Sequence, residues 1–415
     1  MKKYGCIGKK LTHSFSKEIH EKLADYEYEL IELAEAEIAD FFSKKDFYAI
    51  NVTIPYKETV IPYLDVVSDV AKRIGAVNTI VNRDGKLWGY NTDYYGMKAL
   101  IEKAGISLDG KKVLVLGTGG TSKTAQVVAQ DLGSCEILVV SRSKKDNCIT
   151  YEDAVNLHND AEVIINTTPS GMYPDCQSKP IDVADFKGLE GVIDAVYNPL
   201  TTNLVLDAKE KGIKADCGLY MLVMQAVVAV EKFLDIEIPD DKAQDTFKAV
   251  FASKENIVLT GMPGSGKSTI GKLIKLEGIE FYDTDAEIEN RAGCSIKQLI
   301  EGMGETYFRD LESEVIRDLS SKGSRIISTG GGAILREENV RNLKRNGKIF
   351  FIDADLKRLS ATDDRPLSNT FEKLEKLYNE RIDIYKNTAD VIVPDMETPE
   401  AEAAYIITKR MEQII

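Results

Sequence analysis

The chain has 415 residues, of which 43% are hydrophobic, and a formal net charge of −14 at pH 7. The length predicts two or three globular domains. The acidic balance argues against nucleic acid as a main partner, because phosphate backbones are bound by basic surfaces. The longest apolar stretch, residues 219–230, is too short to cross a bilayer. The N-terminal residues lack the apolar core of a secretion signal, and six scattered cysteines without a C-x-x-C pair are typical of a reducing compartment. We therefore expect a cytoplasmic protein with no membrane segment.

The first 93 residues alternate between strand and helix patterns, which predicts an α/β layer structure. Asp84-Gly85 is a turn signal between two strand patterns and predicts a hairpin. Four polar blocks follow strand ends or turns, namely residues 13–16, 51–57, 75–79 and 89–93. Each block alone is consistent with turn chemistry or helix capping. Together they indicate a pocket for a small polyhydroxylated acid.

A buried strand pattern at residues 112–116 runs into a glycine-rich loop at 117–122 and then into a helix pattern. This order is typical of a doubly wound nucleotide-binding domain. Position 122 is serine, so the strict G-x-G-x-x-G pattern is not met. The following strand ends in Ser141-Arg142-Ser143. An arginine there suits the 2′-phosphate of NADP(H), whereas NAD(H) would favour an acidic residue. The alternative is that Arg142 is a solvated loop residue.

A long apolar helix pattern at residues 218–233 contains one conspicuous polar residue, Gln225. This glutamine can face solvent, or it can reach a ligand from the same helix face as Met221, one turn earlier. Residues 235–255 are polar and are expected to end in another helix, and we place the boundary of the first half near residues 252–255.

Residues 1 to about 250 resemble shikimate dehydrogenase over their whole length. The resemblance rests on six blocks in the family's order: paired serines at Ser14 and Ser16, N-V-T-x-P-x-K at 51–57, G-A-V-N-T at 75–79, N-T-D at 91–93, G-x-G-G at 117–120, and G-L-x-M-L-V-x-Q-A at 218–226. It implies reversible reduction of 3-dehydroshikimate to shikimate with NADPH. It also implies two lobes: residues 1–93 with about 218–250 for substrate, and a Rossmann-like lobe at 94–217 for NADP.

The same resemblance assigns roles to individual residues. Lys57 would be the acid/base residue, with Asp93 as its partner. Ser14 and Ser16 would hold the substrate carboxylate. The ring hydroxyls or ketone would contact Thr53, Asn78, Asp93 and Gln225, with Tyr197, Gly218 and Met221 on the nicotinamide side. NADP(H) would be held by Gly117, Thr118, Gly119, Gly120, Thr121, Ser141, Arg142 and Ser143. Lys10 and Lys17 stand where the family usually has prolines, and quinate stays open as a rival substrate.

A second nucleotide signal lies at residues 261–269, which read G-M-P-G-S-G-K-S-T. They fit the phosphate-loop pattern G-x-x-x-x-G-K-[ST], between an apolar strand pattern and a helix pattern. Glycines turn backbone N–H groups toward phosphate oxygens, and the helix N-terminus adds a positive dipole end. Lys267 would reach the β/γ-phosphates and Ser268 would ligate Mg²⁺. The predicted ATP-binding residues are Gly264, Ser265, Gly266, Lys267, Ser268, Thr269 and Arg365.

Several polar signals follow the phosphate loop. Asp283 and Asp285, on a segment read as extended, would point to one side and serve Mg²⁺ and an acceptor hydroxyl; the alternative for Asp285 is a helix N-cap. Arg309 and Glu312 share a helix face. Gly330, Gly331 and Gly332 indicate close approach of backbone to a ligand. Residues 363–367 have a lid-like composition, with Arg365 positioned to neutralise a transferring phosphate. For Arg381, four residues before Tyr385, a surface salt bridge is the default interpretation.

Residues 256–415 resemble shikimate kinase, on the phosphate loop and on the ordered blocks D-x-D, F-R-x-x-E, G-G-G, R-P-L and R-x-x-x-Y. The resemblance implies transfer of the γ-phosphoryl group of ATP to the 3-hydroxyl of shikimate. Ser268 and Asp283 would serve Mg²⁺, and Asp285 would orient or deprotonate the hydroxyl. Arg309 and Arg381 would clamp the shikimate carboxylate, Gly330, Gly331 and Gly332 would lie at the ring, and Arg365 at the phosphates. Arg358 has roughly the spacing of a further family arginine, but the segment before it is shortened.

The sequence thus predicts two α/β enzymes for consecutive steps, joined by a linker at residues 251–255. The expected ligands are 3-dehydroshikimate, shikimate, NADP(H), ATP and Mg²⁺, and the oligomeric state is left open. Two alternatives stay open. The first half can be a quinate/shikimate dehydrogenase, or one half can be a binding module without catalysis.

Overall fold

The structure is a computed structural model that describes residues 3–11, 14–143, 147–359 and 371–412. The chain divides into two compact units, Met1–Val250 and Phe251–Ile415. Within the described residues, no helix has both the length and the apolar character needed to span a membrane. Each unit has its own α/β architecture, as the alternating patterns predict.

The first sheet of unit 1 mixes parallel and antiparallel strands. Its strands are β1 Lys3–Gly8, β2 Tyr28–Glu32, β3 Phe47–Val52, β4 Val66–Val67, β5 Thr79–Arg83 and β6 Lys86–Tyr90. Its helices are α1 Ser16–Leu23, α2 Ile38–Lys44, α3 Asp69–Ile74 and α4 Asp93–Lys103. The strand order is β2-β1-β3-β5-β6-β4. The predicted hairpin is confirmed, since β5 and β6 pair antiparallel around Asp84 and Gly85, both at positive φ.

The second sheet of unit 1 is parallel throughout. Its strands are β7 Lys112–Leu116, β8 Glu136–Ser141, β9 Cys148–Thr150, β10 Val163–Asn166, β11 Gly191–Asp194 and β12 Lys214–Cys217, with helices α5 Gly120–Asp131, α6 Tyr151–Leu157 and α7 Asn203–Glu210. The order β12-β11-β10-β7-β8-β9 is that of a doubly wound nucleotide fold. The order reverses between β7 and β10, which places the expected ligand crevice at the carboxyl ends of these two strands.

Two helices complete unit 1 and lead out of it: α8 Leu219–Leu234 and α9 Asp240–Lys254. Helix α8 lies close to α4. A β-carbon added at Gly96 of α4 would come within 3.0 Å of Cβ of Gln225 in α8. Residues 251–254 of the predicted linker at 251–255 are helical and complete α9, and the boundary between the two units falls after Val250. This helix has no glycine or proline to end it earlier, and it buries Phe247 and Val250.

Unit 2 is a parallel sheet surrounded by helices. Its strands are β13 Asn256–Gly261, β14 Glu280–Asp283, β15 Arg325–Ser328, β16 Gly347–Asp353 and β17 Val391–Pro394. Its helices are α10 Lys267–Leu273, α11 Thr284–Ala292, α12 Ile296–Met303, α13 Glu305–Ser320, α14 Glu337–Asn346, α15 Phe371–Thr388 and α16 Pro399–Glu412. The order β14-β15-β13-β16-β17 puts the phosphate-loop strand β13 in the centre. The predicted phosphate loop, acidic pair and glycine triplet therefore meet at the carboxyl ends of three adjacent strands.

Candidate active sites

Lys57 and Asp93 form an ion pair near the first turn of α5. Lys57 lies beyond the end of β3, and Asp93 is the first residue of α4. The Lys57 Nζ atom lies 2.5 Å from Oδ2 of Asp93, and the two side chains are 14% and 10% exposed. A β-carbon added at Gly120 would lie 3.7 Å from Cδ of Lys57, so the pair borders the glycine loop. An ammonium held by a carboxylate at this position can supply a proton or positive charge to a ketone oxygen.

A buried network of amides and hydroxyls lies at the α4–α8 contact. Asn78 Oδ1 accepts from the Thr92 backbone N–H at 2.7 Å, and Asn78 Nδ2 donates to Thr92 Oγ1 at 3.0 Å. The Thr92 hydroxyl donates to Gln225 Oε1 at 3.2 Å. Gln225 is only 7% exposed, so the solvent-facing alternative is wrong. The two predicted substrate residues Asn78 and Gln225 are brought together, across a gap of 147 residues, with Thr92 between them.

The paired serines flank a phenylalanine that contacts Tyr197. Ser14 and Ser16 are half-buried at the start of α1, and the Ser16 N–H donates to Ser14 Oγ at 3.2 Å. Phe15, between them, meets the Tyr197 ring edge-on with centroids 5.2 Å apart. Thr53 follows the neighbouring strand β3, and its backbone N–H donates to Ile7 O at 2.9 Å. Phe15 thus links the segment that carries the two serines to the turn that carries Tyr197.

The glycine loop after β7 needs glycine for both conformation and space. Gly117 has φ +107°, in the left-handed region, and a β-carbon there would lie 2.9 Å from Oγ1 of Thr167 after β10. Gly119 is the N-cap of α5, with Gly120 and Thr121 in the first turn. The loop therefore lies at the switch point of the sheet and fits the pyrophosphate of a dinucleotide. Gly218 lies against the Ala195 carbonyl, and Met221 is buried in α8.

The predicted 2′-phosphate site lies at the end of β8. Ser141 is the last residue of this strand and is buried, whereas Arg142 and Ser143 are exposed. Burial raises the pKa of the Tyr151 hydroxyl, and the positive charge of nearby Arg142 opposes that rise. An exposed guanidinium at this edge is available to a phosphate.

Asp194 fixes the turn that carries Tyr197. Its carboxylate is fully buried at the end of β11 and accepts from Thr202 Oγ1 at 2.7 Å, Asn166 Nδ2 at 2.9 Å and the Val196 N–H at 3.0 Å. Burial raises the pKa of Asp194 to about 7, and the three hydrogen bonds oppose the rise. The sequence interpretation gave this residue no role.

In unit 2, the phosphate loop curls around its own lysine. Gly264 and Gly266 both have φ +85°, which glycine adopts without strain. Lys267 Nζ donates to the carbonyl oxygens of Gly261 at 3.0 Å and Met262 at 2.9 Å, and the residue is 8% exposed. Ser265 is buried within the loop, while Thr269 is exposed. This is a cradle of backbone N–H groups with a positive charge inside it.

Oxygen ligands suited to Mg²⁺ lie next to the phosphate loop. The Ser268 hydroxyl donates to Asp283 Oδ2 at 2.5 Å and lies 3.1 Å from Ser328 Oγ. Hydroxyl and carboxylate oxygens are the donors that Mg²⁺ prefers, so the residues fit the predicted ion. Two expectations are wrong here. Asp283 ends β14 and is extended, but helix α11 starts at Thr284, so Asp285 is helical and the two carboxylates do not share an extended segment. Asp283 rather than Asp285 is the N-cap, accepting from Asp285 N at 3.0 Å.

A charged cluster faces the glycine triplet after β15. A β-carbon added at Gly330 would lie 2.5 Å from Asp285 Oδ1 and 3.1 Å from Glu312 Oε1. Arg309 Nη1 donates to Glu312 Oε2 at 2.8 Å. Glu312 is fully buried; burial raises the pKa of its carboxyl, and the charge of Arg309 opposes the rise. Asp285 and Arg309 are therefore brought to one small region.

Arg381 joins this cluster from α15. Its Nη1 donates to Gly331 O at 2.9 Å, and the residue is 8% exposed, so the default surface salt bridge is wrong. A β-carbon added at Gly332 would lie 2.6 Å from Cζ of Arg309, and one added at Gly331 would lie 2.8 Å from Cγ of Pro263 in the phosphate loop. The glycine triplet is thus in contact with both arginines and the phosphate loop.

Comparison with known proteins places the chain. The family model for the shikimate dehydrogenase substrate binding domain matches residues 6–80, and that for shikimate kinase matches residues 263–412. Shikimate dehydrogenase (NADP(+)) of Clostridium perfringens is 38% identical over 266 residues, which cover 60% of this chain and 98% of that protein. The chain belongs to the shikimate dehydrogenase family. Because the same chain also contains a shikimate kinase domain, it is a bifunctional enzyme of the shikimate pathway.

Solved structures agree with this assignment for the dehydrogenase half, residues 1–250. A chorismate mutase/shikimate 5-dehydrogenase fusion protein from Clostridium acetobutylicum is 33% identical, with a TM-score of 0.57, over 60% of this chain and 97% of that one. Shikimate 5-dehydrogenase from Thermus thermophilus, solved in complex with NADP(H) and shikimate, is 27% identical, with a TM-score of 0.53, over 60% of this chain and 99% of that one. The assignment of NADP(H) as the cofactor of the dehydrogenase half rests on these similar proteins.

Some predicted residues lie outside this description, and some contributors were missed. Arg365 and the lid-like residues 363–367 lie outside the described residues, and so does the side chain of Arg358. In the dehydrogenase half, the missed residues are Thr92 and Asp194. In the kinase half, residues 251–415, they are Thr284, Ser328 and Tyr385. Thr92, Thr284 and Tyr385 stand inside recognised blocks, which is the one signal that pointed to them.

Proposed function

We propose that the chain catalyses two consecutive reactions on one ring acid. The dehydrogenase half reduces 3-dehydroshikimate to shikimate with NADPH, and the kinase half transfers the γ-phosphoryl group of ATP to the shikimate 3-hydroxyl. The Lys57–Asp93 pair beside Gly120 supports the first reaction. The convergence of Arg309, Arg381 and the phosphate loop on the glycine triplet supports the second.

In the dehydrogenase half, bound NADPH supplies the hydride that adds to the ketone carbon. Lys57 supplies the proton at the ketone oxygen, and Asp93 holds the ammonium in place. Ser14 and Ser16 hold the carboxylate, while Thr53, Asn78 and Gln225 hold ring oxygens and Tyr197 closes the nicotinamide side. For the cofactor, the residues proposed to hold the pyrophosphate are Gly117, Thr118, Gly119, Gly120 and Thr121, and those proposed to hold the 2′-phosphate are Ser141, Arg142 and Ser143. Gly218 and Met221 border the nicotinamide.

In the kinase half, Lys267 neutralises the β/γ-phosphates within the loop of Gly264, Ser265, Gly266 and Thr269. Ser268 and Asp283 hold Mg²⁺, which when bound neutralises further phosphate charge. Asp285 accepts the proton of the shikimate 3-hydroxyl. The oxygen of that hydroxyl bonds to the γ-phosphorus, and the bond from the phosphorus to ADP breaks. Arg309 and Arg381 hold the carboxylate, a pairing that planar guanidinium groups suit. Arg365 is the proposed phosphate contact from the lid-like segment.

The division of labour along the chain follows from these roles. Residues 1–93 with about 218–250 form the substrate lobe of the dehydrogenase half, and residues 94–217 form its NADP lobe. Both reactions use small soluble metabolites, and we expect both in the cytoplasm.

One incubation tests both reactions. The purified chain is mixed with 3-dehydroshikimate, NADPH, ATP and Mg²⁺, and NADPH loss and ADP formation are followed together. We expect both signals, with shikimate 3-phosphate as the final product. Accumulation of shikimate without ADP would contradict the kinase assignment and leave the kinase half as a binding module. ADP formation from added shikimate without NADPH oxidation would contradict the dehydrogenase assignment. Faster oxidation of quinate than of shikimate would identify the dehydrogenase half as a quinate/shikimate dehydrogenase.

A further inference from the structure

The carbonyl oxygen of Gly331 accepts hydrogen bonds from two side chains of α15. Arg381 Nη1 lies at 2.9 Å and the Tyr385 hydroxyl at 2.5 Å. The two donors are four residues apart on the helix, so they lie on one face. Arg381 has a proposed role in holding the acceptor carboxylate, whereas Tyr385 has none.

Tyr385 is a fixed donor. It is fully buried, and its ring stacks on Phe351 of β16 with centroids 5.1 Å apart and planes at 6°. Burial raises the pKa of the Tyr385 hydroxyl, so it stays protonated and donates at neutral pH. Arginine has a long side chain with several rotatable bonds, whereas a buried, stacked phenol has little freedom. The hydroxyl therefore decides where the Gly331 carbonyl lies, and Arg381 follows it.

The position of Gly331 matters because its neighbours Gly330 and Gly332 contact the acidic segment and Arg309. The Gly330 N–H donates to Thr284 Oγ1 at 2.8 Å, which ties the glycine triplet to the acidic pair. Gly332 lies directly against the Arg309 guanidinium. If the Gly331 carbonyl moves, the surfaces on which Arg309 and Arg381 rest move with it.

We infer that Tyr385 is a positioning residue for the acceptor of the kinase half: its hydroxyl holds the Gly331 carbonyl so that Arg381 and Arg309 converge on one carboxylate. This inference rests on the proposed kinase function. In that function, ATP is held by the backbone of the phosphate loop and by Lys267. Loss of the Tyr385 hydroxyl should therefore weaken binding of the acceptor, with little effect on binding of ATP.

The test is Tyr385→Phe in the full chain, which removes one oxygen atom and keeps the stacked ring. Kinase kinetics are measured with shikimate and ATP varied in turn, and the dehydrogenase rate of the same preparation serves as a reference for active protein. We expect the KM for shikimate to rise by about tenfold, because one buried hydrogen bond is lost, and we expect little change in the KM for ATP. Thr388→Val is the matched control, since its hydroxyl donates within the same helix to Ile384 O at 2.8 Å.

The outcomes separate the inference from the function on which it rests. If the wild-type chain phosphorylates shikimate and Tyr385→Phe leaves the KM for shikimate unchanged, the inference is wrong and the function stands. An equal rise in both KM values would also overturn it, because that pattern indicates general loosening of the core. A wild-type chain that forms no ADP with shikimate would overturn the kinase function and the inference together.

Discussion

The two halves bury polar groups in different ways. The proposed substrate site of the dehydrogenase half uses mainly neutral groups: Asn78, Thr92 and Gln225 share hydrogen bonds, and Thr92 adjoins Asp93 of the part-buried Lys57–Asp93 pair. The kinase half concentrates charge, with Arg309, Glu312 and Arg381 around the glycine triplet. Two sites proposed for the same ring acid are thus built from different chemistry.

This difference has consequences for recognition and for stability. Neutral hydrogen bonds act at short range and select shape, because their donors and acceptors must be matched one by one. Guanidinium groups attract a carboxylate over longer distances, and dissolved salt screens that attraction. A buried charge is costly without a partner of opposite charge, so removal of that partner lowers the free energy of unfolding. Each contrast can be tested by a substitution in one half that leaves the other half as a reference.

The largest expected effect comes from removing the two lysines of the active sites. Lys57→Met should lower the dehydrogenase rate by about 10³-fold, because the proton donor is lost. Lys267→Met should lower the kinase rate by a similar factor, because the phosphate charge is no longer neutralised. Both rates are measured on each variant. Loss of both activities from either substitution in a folded chain would contradict independent active sites.

The buried ion pair at the start of the kinase half should have the next largest effect. Arg410 on α16 lies 3.1 Å from Glu255 and also donates to the Glu255 and Ala252 carbonyls; both side chains are 4% exposed. Arg410→Met leaves the buried Glu255 with Lys348, whose Nζ lies 3.7 Å from its Oε1, as a weaker partner, and it removes the hydrogen bonds to two carbonyls. We expect a loss of about 3 kcal/mol in the free energy of unfolding. Urea unfolding followed by circular dichroism measures it. The double variant Glu255→Met with Arg410→Met should recover part of the loss, because Lys348 then loses its pairing with Glu255, and a double variant as unstable as the single one would refute this account.

Acid sensitivity should distinguish the dehydrogenase half. His20 is fully buried, stacks on Tyr28 with centroids 4.1 Å apart, and bonds Tyr26 through Nδ1 at 2.7 Å. Burial lowers the pKa of His20 from 6.5 to about 3. Between these values the unfolded chain binds a proton that the native state does not, so stability falls as pH drops below 6.5. The expected loss from this group is about 2 kcal/mol at pH 5.

The readout for that loss is the fluorescence of Trp88, the single tryptophan, which lies in β6 of the dehydrogenase half. Urea unfolding is compared at pH 7 and pH 5. His20→Gln should unfold with a smaller pH dependence than the wild type, while the control His158→Gln keeps the wild-type dependence. Equal pH dependence in wild type and His20→Gln would exclude His20 as the cause.

The smallest expected effect is a difference in salt dependence. Raising the salt concentration from about 0.05 M to about 0.5 M should increase the KM for shikimate of the kinase half by about threefold, because the attraction to Arg309 and Arg381 is screened. The dehydrogenase reaction, run from shikimate and NADP⁺ with the cofactor saturating, should show a smaller increase. An equal response of both halves would remove the distinction between neutral and charged recognition.

The sequence by itself determined the features that depend on short stretches of chain. The phosphate loop, the glycine loop after β7 and the β5–β6 hairpin all combine glycine at positive φ with a fixed strand context, and the structure has each of them. The strand alternation also predicted the α/β class of both units. Local backbone sterics and hydrophobic periodicity carry this information, so no distant residue is needed to read it.

The tertiary structure alone decided which distant residues meet. Thr92 and Gln225 bond across 133 positions, and Glu255 and Arg410 across 155. The start of α11 also escaped the local signals, since this helix begins at Thr284 with Asp283 as its cap. In each case the outcome depends on burial and hydrogen-bond partners supplied by other elements. A short window of sequence holds one side of such a contact, and only the folded chain brings the other side to it.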